Sequence, residues 1–230
     1  VSINFYKNQG YLPEALVNYL ALLGWNPGGE REVFSMAELV EIFDLAKVQQ
    51  SGAIFNIEKL EWVNREHLKR IFNVQFLISN EVKKILGLGE NENTEKILEK
   101  IAPIVMERIS KFGDIKVMAE RGELAYFFRT PDYPKELLLW KKDKNLQRTR
   151  ERLLEIREIL RGEVSLGGFA SKSKKLLLVL AEKEGKGEVL WPLRVALSGL
   201  EKSPDPFTLL EIFGKEESLA RLDKAIEMLG

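Results

Sequence analysis

The sequence predicts an all-α protein, and two features of its pattern carry that prediction. Apolar residues recur every three or four positions through most of the chain, as Leu16, Tyr19 and Leu23 do near the start. This spacing places them on one face of an α-helix. Runs that alternate apolar and polar residues, which would indicate strands, are scarce. Clusters of proline, glycine and asparagine separate the helical segments.

The first part of the chain predicts three helices. Pro13 suits the first turn of one helix, and Gly24 suits its end. Ser35, followed three residues later by Glu38, is the capping-box pattern that begins a second helix. The apolar spacing over residues 55–71 predicts a third.

The middle of the chain predicts two long helices with a break between them. The first covers residues 94–112, where Pro103 should kink or split it because proline lacks the N–H that an inner helical turn needs. Residues 130–134, Thr-Pro-Asp-Tyr-Pro, form the break. A charged helix follows over residues 141–162, and a loop is predicted at 164–168.

The last part of the chain predicts four more helices, and Gly214 separates the final two. Their predicted ranges are 171–183, 188–200, 206–213 and 216–229.

The composition places limits on location and partners. The 230 residues include 35 basic and 35 acidic ones, so the formal net charge is zero. Nucleic-acid-binding proteins are often basic because phosphate contacts supply much of their affinity, although a local basic patch is enough. No run approaches the ~18 apolar residues of a membrane span, and no signal peptide is visible. We therefore expect a cytoplasmic protein. The first residue is Val1 rather than Met, which processing or numbering also explains. We expect the natural protein to be longer.

The residue inventory excludes most catalytic and metal sites. The chain has no cysteine and a single histidine, His67. This excludes thiolate metal sites and any site that needs two histidines. His67 lies in a charged helical stretch and is predicted to be a solvated surface side chain. Glu151, Glu155 and Glu158 lie among four arginines between residues 148 and 157, a pattern typical of an exposed, salt-bridged helix face.

Three features are typical of RNA binding. Residues 141–161 are locally basic, and residues 171–175, Ser-Lys-Ser-Lys-Lys, form a second basic cluster at a predicted helix start. Arg194 follows Trp191 and Pro192 at a predicted tight entry into a helix. An arginine beside an aromatic ring can stack on an unpaired base and hydrogen-bond to it. Solvated faces of a helical bundle explain the same charges. The residues alone therefore predict an all-helical protein that binds RNA or protein.

Three stretches of the chain carry a family resemblance. They are residues 6–25, YKNQGYLPEALVNYLALLGW; residues 55–64, FNIEKLEWVN; and residues 191–199, WPLRVALSG. The first resembles the segment that follows the KMSKS loop in bacterial-type glutamyl-tRNA synthetases. The last resembles that family's PLR-x-ALTG element. The resemblance spans essentially the whole chain and is weakest over residues 77–161.

The resemblance implies a three-part, all-α architecture. It consists of a tRNA stem-contact domain at residues 1–72 and a two-part helical anticodon-binding domain at 73–142 and 143–230. The family's HIGH signature and KMSKS loop are absent from the sequence. We therefore expect no catalytic residues, cofactor or metal in this chain, with ATP and Mg²⁺ handled by a catalytic domain that it lacks. The expected partner is tRNA-Glu, with tRNA-Gln left open. Neither DNA nor a membrane is an expected partner, and the family suggests a monomer.

The resemblance also assigns RNA contacts to single residues. Arg194 matches a reader of the first anticodon base. Ser203-Pro204 matches a threonine–proline pair that meets the second base, and the serine keeps the hydroxyl. Pro206 stands where a family leucine packs on the third base. Arg108 aligns with an arginine that distinguishes the glutamate anticodon from the glutamine one at the third base. Lys59 matches a lysine that touches the tRNA stem.

Other interpretations stay open on the sequence alone. In one, the chain is a freestanding tRNA-binding protein built from the same module. In another, it is a helical protein-interaction scaffold, which would bind without the salt dependence of phosphate contacts. Arg108 and Lys59 are equally explained as exposed helical side chains. Aromatic residues and leucines at helical spacing are predicted to pack in the core: Tyr19, Leu23, Trp25 and Trp62.

Overall fold

Helices make up the regular secondary structure of the computed structural model, which describes residues 2–49, 52–140, 145–162 and 168–230. Within those ranges the only β-pairing is an isolated bridge between Trp25 and Val48, so the all-α prediction is confirmed. None of the described helices is long and apolar enough to cross a membrane. In chain order the α-helices are α1 (Ile3–Asn8), α2 (Pro13–Gly24), α3 (Met36–Ile42), α4 (Ile57–Leu68), α5 (Val74–Leu86), α6 (Glu92–Arg108), α7 (Gly113–Glu120), α8 (Leu146–Arg161), α9 (Phe169–Glu184), α10 (Lys186–Ser198) and α11 (Pro206–Met228).

The chain divides into two compact units, Val1–Arg121 and Gly122–Gly230, which we call the N-unit and the C-unit. The N-unit contains α1–α7 and the C-unit contains α8–α11. The finer three-part division, with boundaries after residues 72 and 142, stays a prediction.

Local signals in the sequence position the first helices of the N-unit. Pro13 is the first residue of α2 and Gly24 is its last. Ser35 and Glu38 form the predicted capping box at the start of α3, where each side chain accepts a hydrogen bond from the other's backbone N–H. The first hydrophobic cluster of the unit joins α2 to α4, and its buried members are Tyr11, Ala15, Tyr19, Leu60 and Val63.

His67, predicted to lie on the surface, is instead buried in a polar network of the N-unit, with 7% of its surface exposed. Its Nε2 lies 2.9 Å from the side-chain Oδ1 of Asn18. The same oxygen accepts a hydrogen bond from the backbone N–H of Phe34, and the Asn18 amide donates to the carbonyl of Glu32. Because an amide oxygen only accepts, Nε2 carries the proton in this arrangement. The prediction failed because the register of α4 turns this residue towards α2, away from its charged sequence neighbours.

Pro103 does not split the helix that contains it. α6 runs from Glu92 to Arg108 with the proline inside. The proline ring removes the donor for the carbonyl of Glu99, four residues earlier. Both Pro103 and Glu99 are exposed, while the opposite face of the helix is buried. Packing along that buried face holds the helix together across the proline.

Gly214 separates the last two helical segments, as predicted. It interrupts α11 with φ 72° and ψ −176°, a conformation that glycine adopts without a side-chain clash. The two halves of α11 pack with α8, α9 and α10 into a helical bundle. The apolar stripe of α8 enters this bundle through Leu153, Ile156 and Leu160, all fully buried.

The charged face of α8 is only partly exposed. Glu158 pairs with Arg157 at 3.4 Å, as the sequence predicts, and also with Arg161 at 3.3 Å. Arg152, predicted to lie on the same face, is buried, because it lies next to the apolar stripe of the helix. The basic residues 141–144, where the helix is predicted to begin, and residues 164–167 of the predicted loop lie outside the described residues.

Candidate nucleic-acid interface

Arg194 lies in the middle of α10, whereas the sequence predicts it at the entry to a helix. α10 runs from Lys186 to Ser198 and includes Pro192. Val189 and Leu193, at helical spacing on either side of the proline, are fully buried. Their packing keeps the chain helical although the proline removes one backbone hydrogen bond. Arg194 therefore projects from a continuous helix, between the fully buried residues Leu193 and Val195.

The guanidinium of Arg194 has no hydrogen-bond or ion-pair partner within the described residues. The side chain is half-buried, and its Nε is shielded from solvent without a hydrogen bond. A buried N–H left unpaired costs about 1–3 kcal/mol. The guanidinium carries five N–H groups in a planar fork. α10 therefore presents a hydrogen-bonding group whose capacity is available to a ligand.

The connection from α10 to α11 is fixed at both ends. Gly199 ends α10 with φ 70°, and a Cβ there would lie 2.6 Å from the Cβ of Pro131. The position therefore needs glycine both for its backbone conformation and for space. Ser198 donates its hydroxyl to the carbonyl of Arg194 at 2.8 Å. At the far end, the Asp205 side chain caps the first backbone N–H groups of α11.

The other anticodon candidates of the C-unit lie on this connection. Ser203 and Pro204 are half-buried, and the Ser203 hydroxyl donates to the carbonyl of Pro204 at 3.2 Å. Pro206 is the first residue of α11 and is buried. Its ring packs inside the C-unit and offers little area to a base. The structure thus brings Ser203 and Pro204 to the C-terminal end of the helix that carries Arg194.

Arg221 of α11, which the sequence analysis missed, contacts the same end of α10. It is 2% exposed, and its Nη1 donates to the carbonyl of Leu197, one of the last carbonyls of α10. Such carbonyls lack donors from their own helix. Its Nε donates to Glu217 at 2.7 Å, and its guanidinium lies 3.8 Å from the ring centroid of Phe213. Burial lowers the pKa of Arg221, and Glu217 opposes this. The only signal in the sequence is the four-residue spacing of Glu217 and Arg221.

Arg108 lies in the N-unit, exposed, as the last residue of α6. The two residues that follow it are held by α4. Arg65 donates from Nε to the carbonyl of Ile109 at 3.2 Å and from Nη2 to the hydroxyl of Ser110 at 2.7 Å. The Asn64 amide donates to the carbonyl of Ser110. These bonds fix the two residues that follow α6, and with them the backbone from which Arg108 projects.

Lys59 is engaged within the N-unit. Its ammonium forms an ion pair with Glu32 and lies 4.5 Å from the ring centroid of Trp62. Trp62 is 42% exposed, so its prediction as a core residue is wrong, because α4 turns position 62 away from its buried stripe. Tyr19 and Trp25 are buried as predicted, and Leu23 is half-buried against the α2–α4 cluster.

The candidate residues thus form two groups, Lys59 and Arg108 in the N-unit and the remainder in the C-unit. Within the described ranges, no cluster of three or more histidines and carboxylates is arranged to hold a metal ion.

Two family matches, which together cover most of the chain, relate it to aminoacyl-tRNA synthetases. Residues 58–226 match the family described as an anticodon binding domain. Residues 1–62 match the family described as tRNA synthetases class I (E and Q), catalytic domain.

Individual relatives agree with these matches. The glutamate–tRNA ligase of Porphyromonas gingivalis strain W83 is 33% identical over 228 residues, which cover 98% of this chain and 43% of the relative. The ligase of Chloroherpeton thalassium is 35% identical and is matched over 46% of its length, with 100% of this chain covered. A crystal structure of a glutamate tRNA ligase from Elizabethkingia meningosepticum has a TM-score of 0.76 at 34% identity, covering 98% of this chain and 43% of that one. The chain spans less than half the length of these relatives.

Proposed function

The chain belongs to the glutamyl-tRNA synthetase family, and we propose that it binds tRNA and reads the anticodon for a cytoplasmic glutamate–tRNA ligase. Such a ligase attaches glutamate to tRNA-Glu with consumption of ATP in the presence of Mg²⁺. We assign none of the described residues to that chemistry. The proposed partner is tRNA-Glu, bound by a monomer, and tRNA-Gln is the partner to be distinguished from it. Anticodon bases are single-stranded, so they can be splayed onto a helical surface and read along their edges.

The observation that carries this proposal is the unpaired guanidinium of Arg194. A planar guanidinium can donate two parallel hydrogen bonds to the edge of one base. A base in that position satisfies donors that lack partners within the described residues. We assign Arg194 to the first anticodon base. The Ser203 hydroxyl, which would exchange only its 3.2 Å bond to the neighbouring carbonyl, is assigned with Pro204 to the second. Pro206 is left with at most an edge contact to the third.

Arg108 is proposed to discriminate between the glutamate and glutamine anticodons at the third base. Its support is the exposed position at the end of α6 and the clamp formed by Arg65 and Asn64 on the residues that follow. A positioned arginine loses little conformational freedom on pairing with a base. Lys59 is proposed to touch the tRNA stem. To do so its ammonium must exchange Glu32 for a phosphate.

The exposed apolar side chains of α1–α3, which we call the apolar face, support a different role for this part of the N-unit. They include Ile3, Val17, Leu20, Met36 and Val40. Exposed apolar patches of this kind mark contact with protein rather than with phosphate. We propose that this face packs against other parts of a class I catalytic domain, in line with the family that these residues match. Two grooves of about 970 and 520 Å³ meet along α2, and the residues they share are Val17 and Leu20.

The test is binding of the whole chain to tRNA transcripts, with Arg194→Lys as the variant. Lysine keeps the charge but loses the planar fork. We expect the parent chain to prefer tRNA-Glu over a transcript altered at the first anticodon base, and the variant to lose about 1–3 kcal/mol of that preference. Arg148→Lys, at an exposed arginine of α8, is the matched control and should keep it. A folded parent chain that binds both transcripts equally would refute anticodon reading by Arg194.

A further inference from the structure

The first turns of α9 carry a concentration of positive charge that has no role in the proposed reading of the anticodon bases. Lys172, Lys174 and Lys175 all lie in the first two turns, and the first acidic residue of the helix is Glu182. The N-terminal end of a helix already bears a positive partial charge, so lysines there oppose the local electrostatics. A charge pattern that works against its own helix indicates a purpose outside that helix.

Lys174 brings this cluster beside the α10–α11 connection. Its Nζ lies 5.4 Å from the ring centroid of Phe207, which belongs to the first turn of α11. Burial acts to raise the pKa of the Asp205 carboxyl, but hydrogen bonds from Thr208 and Phe207 and the charge of Lys174 lower it overall. The lysine therefore lies on the side of the C-unit where Ser203 and its neighbours emerge.

Neither Lys174 nor Lys175 has an ion-pair partner in the described part of the chain, and both are exposed. The Asp205 carboxylate feels the charge of Lys174 but uses its hydrogen bonds to cap α11, accepting from the backbone N–H groups of Phe207 at 3.0 Å and Thr208 at 3.2 Å. By contrast Lys183, in the last turn of α9, pairs with the neighbouring Glu184 at 3.5 Å. The charges of Lys174 and Lys175 are thus available to an anionic ligand.

We propose that Lys174 and Lys175 contact phosphates of the anticodon loop and hold its backbone beside the bases that Arg194 and Ser203 read. This inference rests on the proposed anticodon-reading function. Phosphate contacts fix the register of a nucleic acid without carrying sequence information. The two lysines therefore set affinity and salt dependence, whereas Arg194 sets base preference.

The experiment measures tRNA-Glu binding by the whole chain over a series of salt concentrations. The double variant Lys174→Gln/Lys175→Gln removes both charges and keeps the length of the side chains. Each single-stranded phosphate contact contributes about 0.7 to the slope of log affinity against log salt, so the slope should fall by about 1.4. Between about 50 and about 200 mM salt, the parent should then lose about seven-fold more affinity than the double variant.

Two controls separate this inference from the function on which it rests. Lys183→Gln changes a lysine roughly 13 Å further along the same helix and should keep the parental slope. The preference for the unaltered first anticodon base should persist in the double variant. A parental slope in the double variant, with the preference intact, overturns the lysine contact and leaves anticodon reading standing. A slope reduced equally by Lys183→Gln overturns it as well, because it indicates diffuse attraction. Absence of tRNA binding by the folded parent chain overturns both proposals.

Discussion

The N-unit and the C-unit differ most in what they leave exposed. Nearly all the exposed large hydrophobic side chains of the described residues belong to the N-unit, including Leu20 at 51%, Val40 at 79% and Phe43 at 44%, and only Leu176 and Val179 belong to the C-unit. The C-unit instead exposes Lys174 and Lys175 on α9 and carries the half-buried, unpaired Arg194 on α10. A bundle that buries its apolar residues and leaves cations unpaired is suited to an anionic ligand. A unit with a continuous apolar face is suited to protein.

The two units also use buried polar groups differently. In the N-unit, Asn18 and His67 form a neutral network that ties α2 to α4 and to the segment around Phe34. In the C-unit, the buried guanidinium of Arg221 places a charge in the core and donates a hydrogen bond to a carbonyl at the end of α10. Burial lowers the pKa of His67 in the first network, so that network is sensitive to acid, whereas the arginine of the second keeps its charge.

The largest effect that we expect comes from Arg221→Met, which keeps much of the side-chain length but removes the charge. Loss of the buried guanidinium leaves the carbonyl of Leu197 without its donor and removes the contact with Phe213, at a cost of about 3 kcal/mol. Hydrogen exchange followed by mass spectrometry should show faster exchange in α10 and α11 and unchanged exchange in α2 and α4. Equal acceleration in both units would break the distinction between them.

The next effect concerns the RNA contact assigned to the N-unit. We expect Arg108→Ala to lose about 1–3 kcal/mol of the preference for tRNA-Glu over tRNA-Gln. Affinity for the two transcripts, measured in parallel, checks this. Arg121→Ala, at an exposed arginine of the same unit, is the control. A variant that keeps the parental preference would leave discrimination to the C-unit alone.

His67 offers a smaller, pH-dependent test of the same comparison. Burial lowers the pKa of His67, the charge of Arg70 adds to this, and Glu14 opposes it. The unfolded chain then binds more protons at this residue than the folded one, so the free energy of unfolding rises with pH. The contribution is fully present above the ordinary pKa of about 6.5 and is lost as pH falls towards the lowered pKa of the folded state.

Hydrogen exchange at pH 7.5 and pH 5.5 separates the two units in this respect. Peptides from α2 and α4 should lose protection at the lower pH relative to peptides from α10, because His67 is the only histidine in the chain. His67→Gln retains a donor for Asn18 and does not titrate, so it should abolish the difference. A difference that survives this substitution would show that another group is responsible.

The smallest effect on stability should come from the exposed apolar face. Leu20→Gln and Val40→Gln should change the free energy of unfolding by less than about 0.5 kcal/mol, since neither side chain is buried. Both should lower the fluorescence of a bound hydrophobic dye. Leu176→Gln and Val179→Gln are the matched pair in the C-unit and should lower it much less. Equal effects of the two pairs would mean that the apolar face is not a continuous surface.

Sequence patterns predicted the features whose causes are local. The start of α2 at Pro13, the capping box of α3 and the break at Gly214 each depend on a few adjacent residues. The failures at His67 and Trp62 share one cause. Both belong to α4, and which of its faces meets α2 is decided by packing that the local pattern does not contain. Arg152 was placed wrongly for the same reason in α8.

The candidate site likewise has features that the sequence predicted and features that it could not predict. Family resemblance was sufficient to single out Arg194 and Ser203, because it compares residues position by position. It could not show that α10 is continuous through Pro192, or that the guanidinium of Arg194 lacks a partner within the described residues. The roles of Arg221 and Arg65 depend on contacts with carbonyls distant in sequence, and no local pattern predicts such pairs.

Hydrogen exchange with and without tRNA-Glu tests most directly whether RNA binds the C-unit through the α10–α11 connection while the apolar face of the N-unit takes no part. We predict slower exchange in residues 199–205 and at the start of α9, and unchanged exchange in α2 and α3. Protection of α2 and α3 with no change at residues 199–205 would contradict the account.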